Sequence, residues 1–265
     1  MTGCHHSVDV GRSDRITRHS YEARVSDSGP RSFWFRKIFR YRGTMSNSPG
    51  HMGFAERRAS DMKPAIVRLN ADSSRPPRFT NVLVGFAVEL HRSFHELHTG
   101  VSDHILGRAA LACRNLMEIR YWTMYAAKSE GNIWRLRKEA LIDMRDMLDK
   151  FTAACQANPE LAPALPSIQK GRSWFEEQCR QTGESADGPY IRVSNLAQEL
   201  GLADEHRTMS SFLSKLIHPT GFSICLPGAE DFTYHQLYSV GCWYFNDCFE
   251  RVNELLERLN LPVLE

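Results

Sequence analysis

The chain has 265 residues, of which 42% are hydrophobic and 24% charged, and a formal net charge of +2. That length allows one sizeable domain with a tail, or two small domains, and the composition is ordinary for a soluble globular protein. No run approaches the roughly 18–20 apolar residues of a membrane span and no signal-peptide apolar stretch opens the chain, so stable membrane insertion is not expected and a cytoplasmic location is.

The charge is unevenly spread. Residues 1–75 hold 14 Lys/Arg against 7 Asp/Glu, whereas residues 76–265 hold 19 against 24. With Ser, Arg, Gly and Asp dominant and few apolar periods, residues 1–75 read as a basic, disordered N-terminal extension. Its one ordered-looking stretch is Phe33–Arg42, where aromatics alternate with cations, a pattern suited to an anionic membrane or to nucleic acid. Met45 and Met52 each precede a workable domain start, so the first 44–51 residues read equally as a tail or an over-long gene start.

Residues 76–265 read as one all-α domain, a bundle of about six or seven helices. The first helix covers 78–97, and Gly100 and Ser102 mark the break that follows. The second, Arg108–Ala127, is apolar around nearly its whole circumference, as a buried helix should be. Arg114, Glu118, Tyr121 and Tyr125 nevertheless fall on one line of it, at i, i+4, i+7 and i+11. Such groups need partners, because an unpaired buried polar group costs roughly 2–7 kcal/mol. Arg before Glu is the weaker i, i+4 order, so a partner on another helix is expected.

A third, more charged helix covers 132–156, with Arg135–Glu139 and Asp146–Lys150 pairs that suit a partly solvated face. A proline-rich turn at 158–166 leads to a fourth helix at 166–182, then a loop to Ile191 and a short helix at 194–200. The sixth helix, 203–217, stops at His218 because Pro219 disfavours helical geometry in its predecessor. Arg207, Ser211, Ser214 and His218 share one face of it, with Lys215 beside them. A last helix spans about 233–259, with Thr233 and Gln236 placed as a capping box and Tyr238, Cys242, Phe245, Phe249, Val252 and Leu256 as its apolar stripe. Phe222–Leu226 is the one strand candidate.

Two functional readings follow from the residues. An imidazolium at the end of a helix, flanked by Lys215 and hydroxyls, suits a general acid acting on phosphate or ribose, with His218 as acid/base and Arg114 or Lys215 stabilising phosphate charge. Against it stands a binding role, in which Glu118, Tyr121, Tyr125, Arg207, Ser211 and Ser214 line a pocket or an interface for RNA or protein. The two halves meet if the second and sixth helices pack together. His91, His95 and His98 share a face of the first helix but lack completing ligands from a second, and Cys4-His5-His6 lies in the tail, so no metal is expected. Phosphate loops and other cofactor motifs are absent, so no cofactor is expected either. The seven cysteines, odd in number and without a CxxC pair, read as reduced thiols packed as small hydrophobes.

The segments RAALACRNLMEIRYWTMYA and EHRTMSSFLSKLIHPTGFSI resemble an uncharacterised family of bacterial all-helical proteins, a domain of unknown function, over about residues 76–260. The matching positions are Arg114, Glu118, Ser214, His218 and Pro219. That family is distantly similar to HEPN-type helical domains, many of which are metal-independent ribonucleases with an Arg-x(4–6)-His motif; no arginine stands at that distance before His218. The resemblance implies a helical domain with a polar cluster of Arg114, Glu118, Tyr121, Ser214, Lys215 and His218. The expected function is a non-catalytic binding or regulatory module, with homodimerisation open. The alternative is a HEPN-like ribonuclease of a phage-defence or toxin system.

Overall fold

In the computed structural model, which describes residues 49–218 and 230–264, the chain is all-α. Eight α-helices, a short 3-10 turn and no strand occur among the described residues: α1 (Pro49–Ala71), α2 (Pro77–Ser102), α3 (Leu106–Ala126), α4 (Glu130–Ala157), α5 (Leu165–Thr182), α6 (Val193–Glu199), α7 (Ala203–Ile217) and α8 (Glu230–Arg258). The strand candidate Phe222–Leu226, the aromatic–basic stretch Phe33–Arg42 and Cys4-His5-His6 lie outside the described residues.

One expectation is overturned at the N-terminal side. Residues 49–71, which composition assigns to a disordered extension, form α1. Ala55, Met62, Ala65 and Leu69 are fully buried, one helical stripe packed on α2 and α8. Two of the four are alanines and Pro64 interrupts the run, so the apolar period is faint in the sequence. Residues 1–48 lie outside the described residues.

The core forms where α2, α3 and α8 pack together. α2 buries Phe79, Leu83, Ala87, Leu90, Phe94 and Leu97 at spacings of three and four. Two glycines permit the close approach. A Cβ at Gly100 would lie 2.6 Å from the Ala109 backbone nitrogen on α3, and one at Gly241 would lie 2.2 Å from Leu97 Cδ2. α3 is the central helix and touches α2, α4, α6, α7 and α8. α7 runs antiparallel to it, since Gly107 lies against Leu216 and Ile217 while Arg120 meets Glu205. The expected pairing of these two helices is therefore present.

The last helix begins at Glu230, so Thr233 sits inside it, buried, and does not cap it. α4 and α5 form a hairpin around Leu148, Phe175 and Ala186, with Leu141, Ile168 and Cys179 packed against them. The connector after α5 is clamped to α4. Glu139 Oε2 accepts from the Ile191 backbone N–H at 2.9 Å, and Arg137 forks onto Glu184 at 3.2 and 3.3 Å. Glu139 is thus buried and not on a solvated face; only Asp146–Lys150 is.

Candidate functional site

The buried charge of α3 is Arg120, not Arg114. Its side chain is fully buried on the face shared with Cys113, Leu116 and Met117. Its Nε donates to Asp247 Oδ2 of α8 at 2.5 Å and its Nη1 to Glu205 Oε1 of α7 at 3.0 Å. The guanidinium carbon stands 4.7 Å from the centre of the Trp243 ring, an arrangement worth about 2 kcal/mol when desolvated. Tyr121 and Tyr244 both donate to Glu205 Oε1, at 3.5 and 3.3 Å. Arg251 forks onto Asp247 from one turn along α8, at 3.0 and 3.1 Å. One cation thus joins three helices whose residues lie 85 and 127 positions away along the chain.

Burial works against each charge here, and the partners outweigh it. Burial opposes the Arg120 cation, but Glu205 and Asp247 hold its pKa above the usual arginine value. Burial also opposes the Asp247 carboxylate, yet hydrogen bonds from Arg251 and Arg120 keep it below the usual carboxylate range. Burial and the neighbouring Glu205 push the Tyr121 and Tyr244 phenols far up, so both serve as neutral donors. Arg120 Nη2 is a buried donor without a hydrogen-bond partner, a feature that native interiors carry only sparingly.

The groups singled out in the sequence divide into four places. Arg114 Nε bonds Glu118 Oε1 at 2.9 Å within α3, a half-exposed pair, so the expected interhelical partner is not the one it takes. Both lie beside His206 of α7; burial and Arg114 lower the His206 pKa while Glu118 and Glu205 oppose them. The His206 ring meets Tyr121 edge-on at 5.9 Å, and its Nδ1 is 3.3 Å from Ser210 Oγ. Tyr121 alone of the four aligned residues enters the Arg120 cluster. Tyr125 is half-buried against Trp122 on the side of α4 and α6, where burial and Glu199 raise its pKa.

His218, Lys215, Ser211 and Arg207 are exposed along α7, Ser214 is half-buried, and Arg207 pairs with Asp204 on its own helix. The Ser214 carbonyl accepts from the His218 backbone N–H at 3.2 Å as the helix ends. Gly107 marks the level of that end on α3, and Arg114 lies seven residues further, about 10 Å along the axis. Lys215 shares the helix end with His218; Arg114 does not.

The i, i+4 pattern on α3 points to Arg114 and passes over Arg120, whose partners lie on other helices. The available signal for Arg120 was its position on the most apolar face of α3, in line with Cys113, Leu116 and Met117; Asp247 lies off the apolar stripe of α8 and gives no such signal. His91, His95 and His98 line an open groove of about 400 Å³ between α1 and α2, with Glu56, Ser60 and Lys63 across from them. There the Tyr238 hydroxyl donates to Glu56 Oε1 at 2.6 Å and sits 3.1 Å from His98 Nδ1. Among the described residues no group of His, Cys, Asp and Glu is disposed to hold a metal ion, and no helix is long and apolar enough to cross a membrane. Comparison with family models, with curated proteins and with solved structures finds no match for this chain.

Proposed function

We propose that this chain is a cytoplasmic, non-catalytic binding or regulatory module. In this reading the Arg120 cluster holds α3, α7 and α8 as a rigid base, and the half-exposed row of Arg114, Glu118 and His206 meets the partner. The observation that carries it is the engagement of Arg120 by two carboxylates from α7 and α8 in a fully buried position, which suits a structural centre and not a clamp for phosphate. The separation of Arg114 from His218 favours the same reading, because a general acid and its phosphate-stabilising cation must act on one group. Free Cys113, Cys155, Cys179, Cys242 and Cys248 suit a reducing compartment.

The competing reading is a HEPN-like, metal-independent ribonuclease with His218 as acid/base beside Lys215. An RNA-cleavage assay in chelator separates the two. No cleavage, or cleavage unchanged by His218→Ala, is expected; cleavage abolished by that substitution overturns the binding reading. Anisotropy with a labelled single-stranded RNA then tests RNA against protein as the partner. Binding weakened about tenfold by Arg114→Glu, or ~1.4 kcal/mol, identifies RNA, and no binding leaves protein.

A further inference from the structure

α4 carries an apolar stripe that its own fold does not use. Ala140, Met144, Met147, Phe151 and Ala154 recur at spacings of four, three, four and three, the repeat of a coiled-coil seam. All five are exposed, with Met144 at 37%, Met147 at 43% and Phe151 at 53%. The hairpin partner α5 packs elsewhere, against Leu141 and Leu148, while Ile142 and Glu139 face inward. The stripe is therefore a second helix surface, distinct from the one that holds the hairpin together and from the Arg114–Glu118–His206 row.

We propose that this stripe is a self-association surface, on which α4 of a second copy of the chain lies antiparallel. Charge complementarity and side-chain size select that occupant and that direction. In the antiparallel register that brings Met144 against Met147 of the second copy, Ala140 faces Phe151, so a small residue meets a large one twice. The same register sets Asp143, flanking the seam, opposite Lys150, and the two-fold axis repeats the pair. A parallel pairing stacks Phe151 on Phe151 and sets Asp143 beside Leu148, with no opposite charge.

Asp143 has a further reason to accept a cation. Partial burial and the neighbouring Glu139 and Asp146 carboxylates hold it above the usual carboxylate range against the opposing pull of Lys150, whose Nζ pairs with Asp146 at 2.6 Å in each copy. Lys150 of the second copy, exposed and shared between its own Asp146 and Asp143 across the seam, adds a second cation that relieves that repulsion. The stripe runs about 21 Å along the helix, and five side chains fall short of the roughly 800 Å² per partner of a standard interface. The dimer is accordingly reversible, forming in the micromolar range.

Sedimentation velocity on the full chain over a wide concentration range tests this. A monomer–dimer equilibrium is expected, with its dissociation constant raised more than about tenfold by Met147→Lys. Asp143→Lys weakens the dimer, and adding Lys150→Asp restores it, since the exchanged pair meets again across the axis. All three positions are exposed, so circular dichroism and Tm should stay near the parent values. A monomer at every concentration overturns the proposal, whether the stripe is then bare or covered by another partner. A dimer indifferent to Met147→Lys overturns it too, and failure of the charge exchange to restore association overturns the antiparallel register.

Discussion

Arg120 Nε lies 2.5 Å from Asp247 Oδ2, so the centre of α3 is tied to the centre of α8 through a charge with no exposure to water. Each partner is affordable only while the other stays. Arg120→Ala should cost about 3–5 kcal/mol, because it empties a buried position and removes the cation between two carboxylates, leaving Asp247 only Arg251 and Glu205 only the two tyrosines. Replacing all three charges together, by Arg120→Met, Glu205→Leu and Asp247→Leu, should recover most of that loss. Urea unfolding of the single and triple variants checks it; a triple variant no more stable than Arg120→Ala shows that packing, not charge, governs the site.

The pKa of Asp247 sets the acid limit of this bridge. Its folded pKa is depressed below the ordinary aspartate value of 3.8, so its contribution is complete above 3.8 and disappears as pH falls through the folded value. The Asp247→Asn variant should therefore differ most from the parent near neutral pH and converge with it in strong acid. Thermal unfolding followed from pH 7 downward measures the gap.

Histidines act at higher pH. His91 is lowered from 6.5 by burial, Lys63 and His95, with Glu56 also lining its groove, and His206 is lowered by burial and Arg114. The unfolded chain thus binds protons first, and the stability these two groups give is full above 6.5 and declines as pH drops through their folded values. Stability should fall as pH drops below 6.5, and His91→Asn with His206→Gln should flatten that part of the profile. An unchanged slope in the double variant excludes them as its source.

Gly100 and Gly241 should tolerate alanine unequally. The new Cβ at Gly241 meets the end of the Leu97 side chain, which can turn away, whereas at Gly100 it meets the α3 backbone. Gly100→Ala should cost about 1–3 kcal/mol, and Gly241→Ala less, since helix propensity returns about 1 kcal/mol. Equal losses would show that Leu97 is locked in place.

Glu139 should govern the order of the connector between α5 and α6. Glu139→Ala removes the acceptor for the Ile191 N–H and a close partner of Arg135, at about 1–3 kcal/mol. Faster proteolysis within residues 183–192 is the expected result. Unaltered cleavage would mean that the remaining ties to α4, Arg137–Glu184, Arg145–Asp187 and Arg135 to the Pro189 carbonyl, suffice to hold the connector.

Where apolar periods were strong, the sequence already showed the helices: α2, α3 and α8 carry long runs of large side chains, and His218-Pro219 marks the end of α7 unaided. α1 escaped because alanines make half of its buried stripe. The site was legible only in part. An ion pair four residues apart can be read from one helix, and Arg114–Glu118 is such a pair. Arg120 depends on Glu205 and Asp247, whose approach is a property of the packed bundle. The same holds for Glu139, whose buried state comes from a connector some fifty residues away.

Glu205 accepts from Arg120, Tyr121 and Tyr244 through one oxygen. A shift of α7 by a single residue would carry that oxygen about 1.5 Å along the axis and turn it about 100° away from all three donors together. The helix therefore has one seat on the bundle and no graded positions beside it. Movement of α7 is thus expected as a jump between seated and released, in which the Arg120, Tyr121 and Tyr244 contacts are lost together and not one by one.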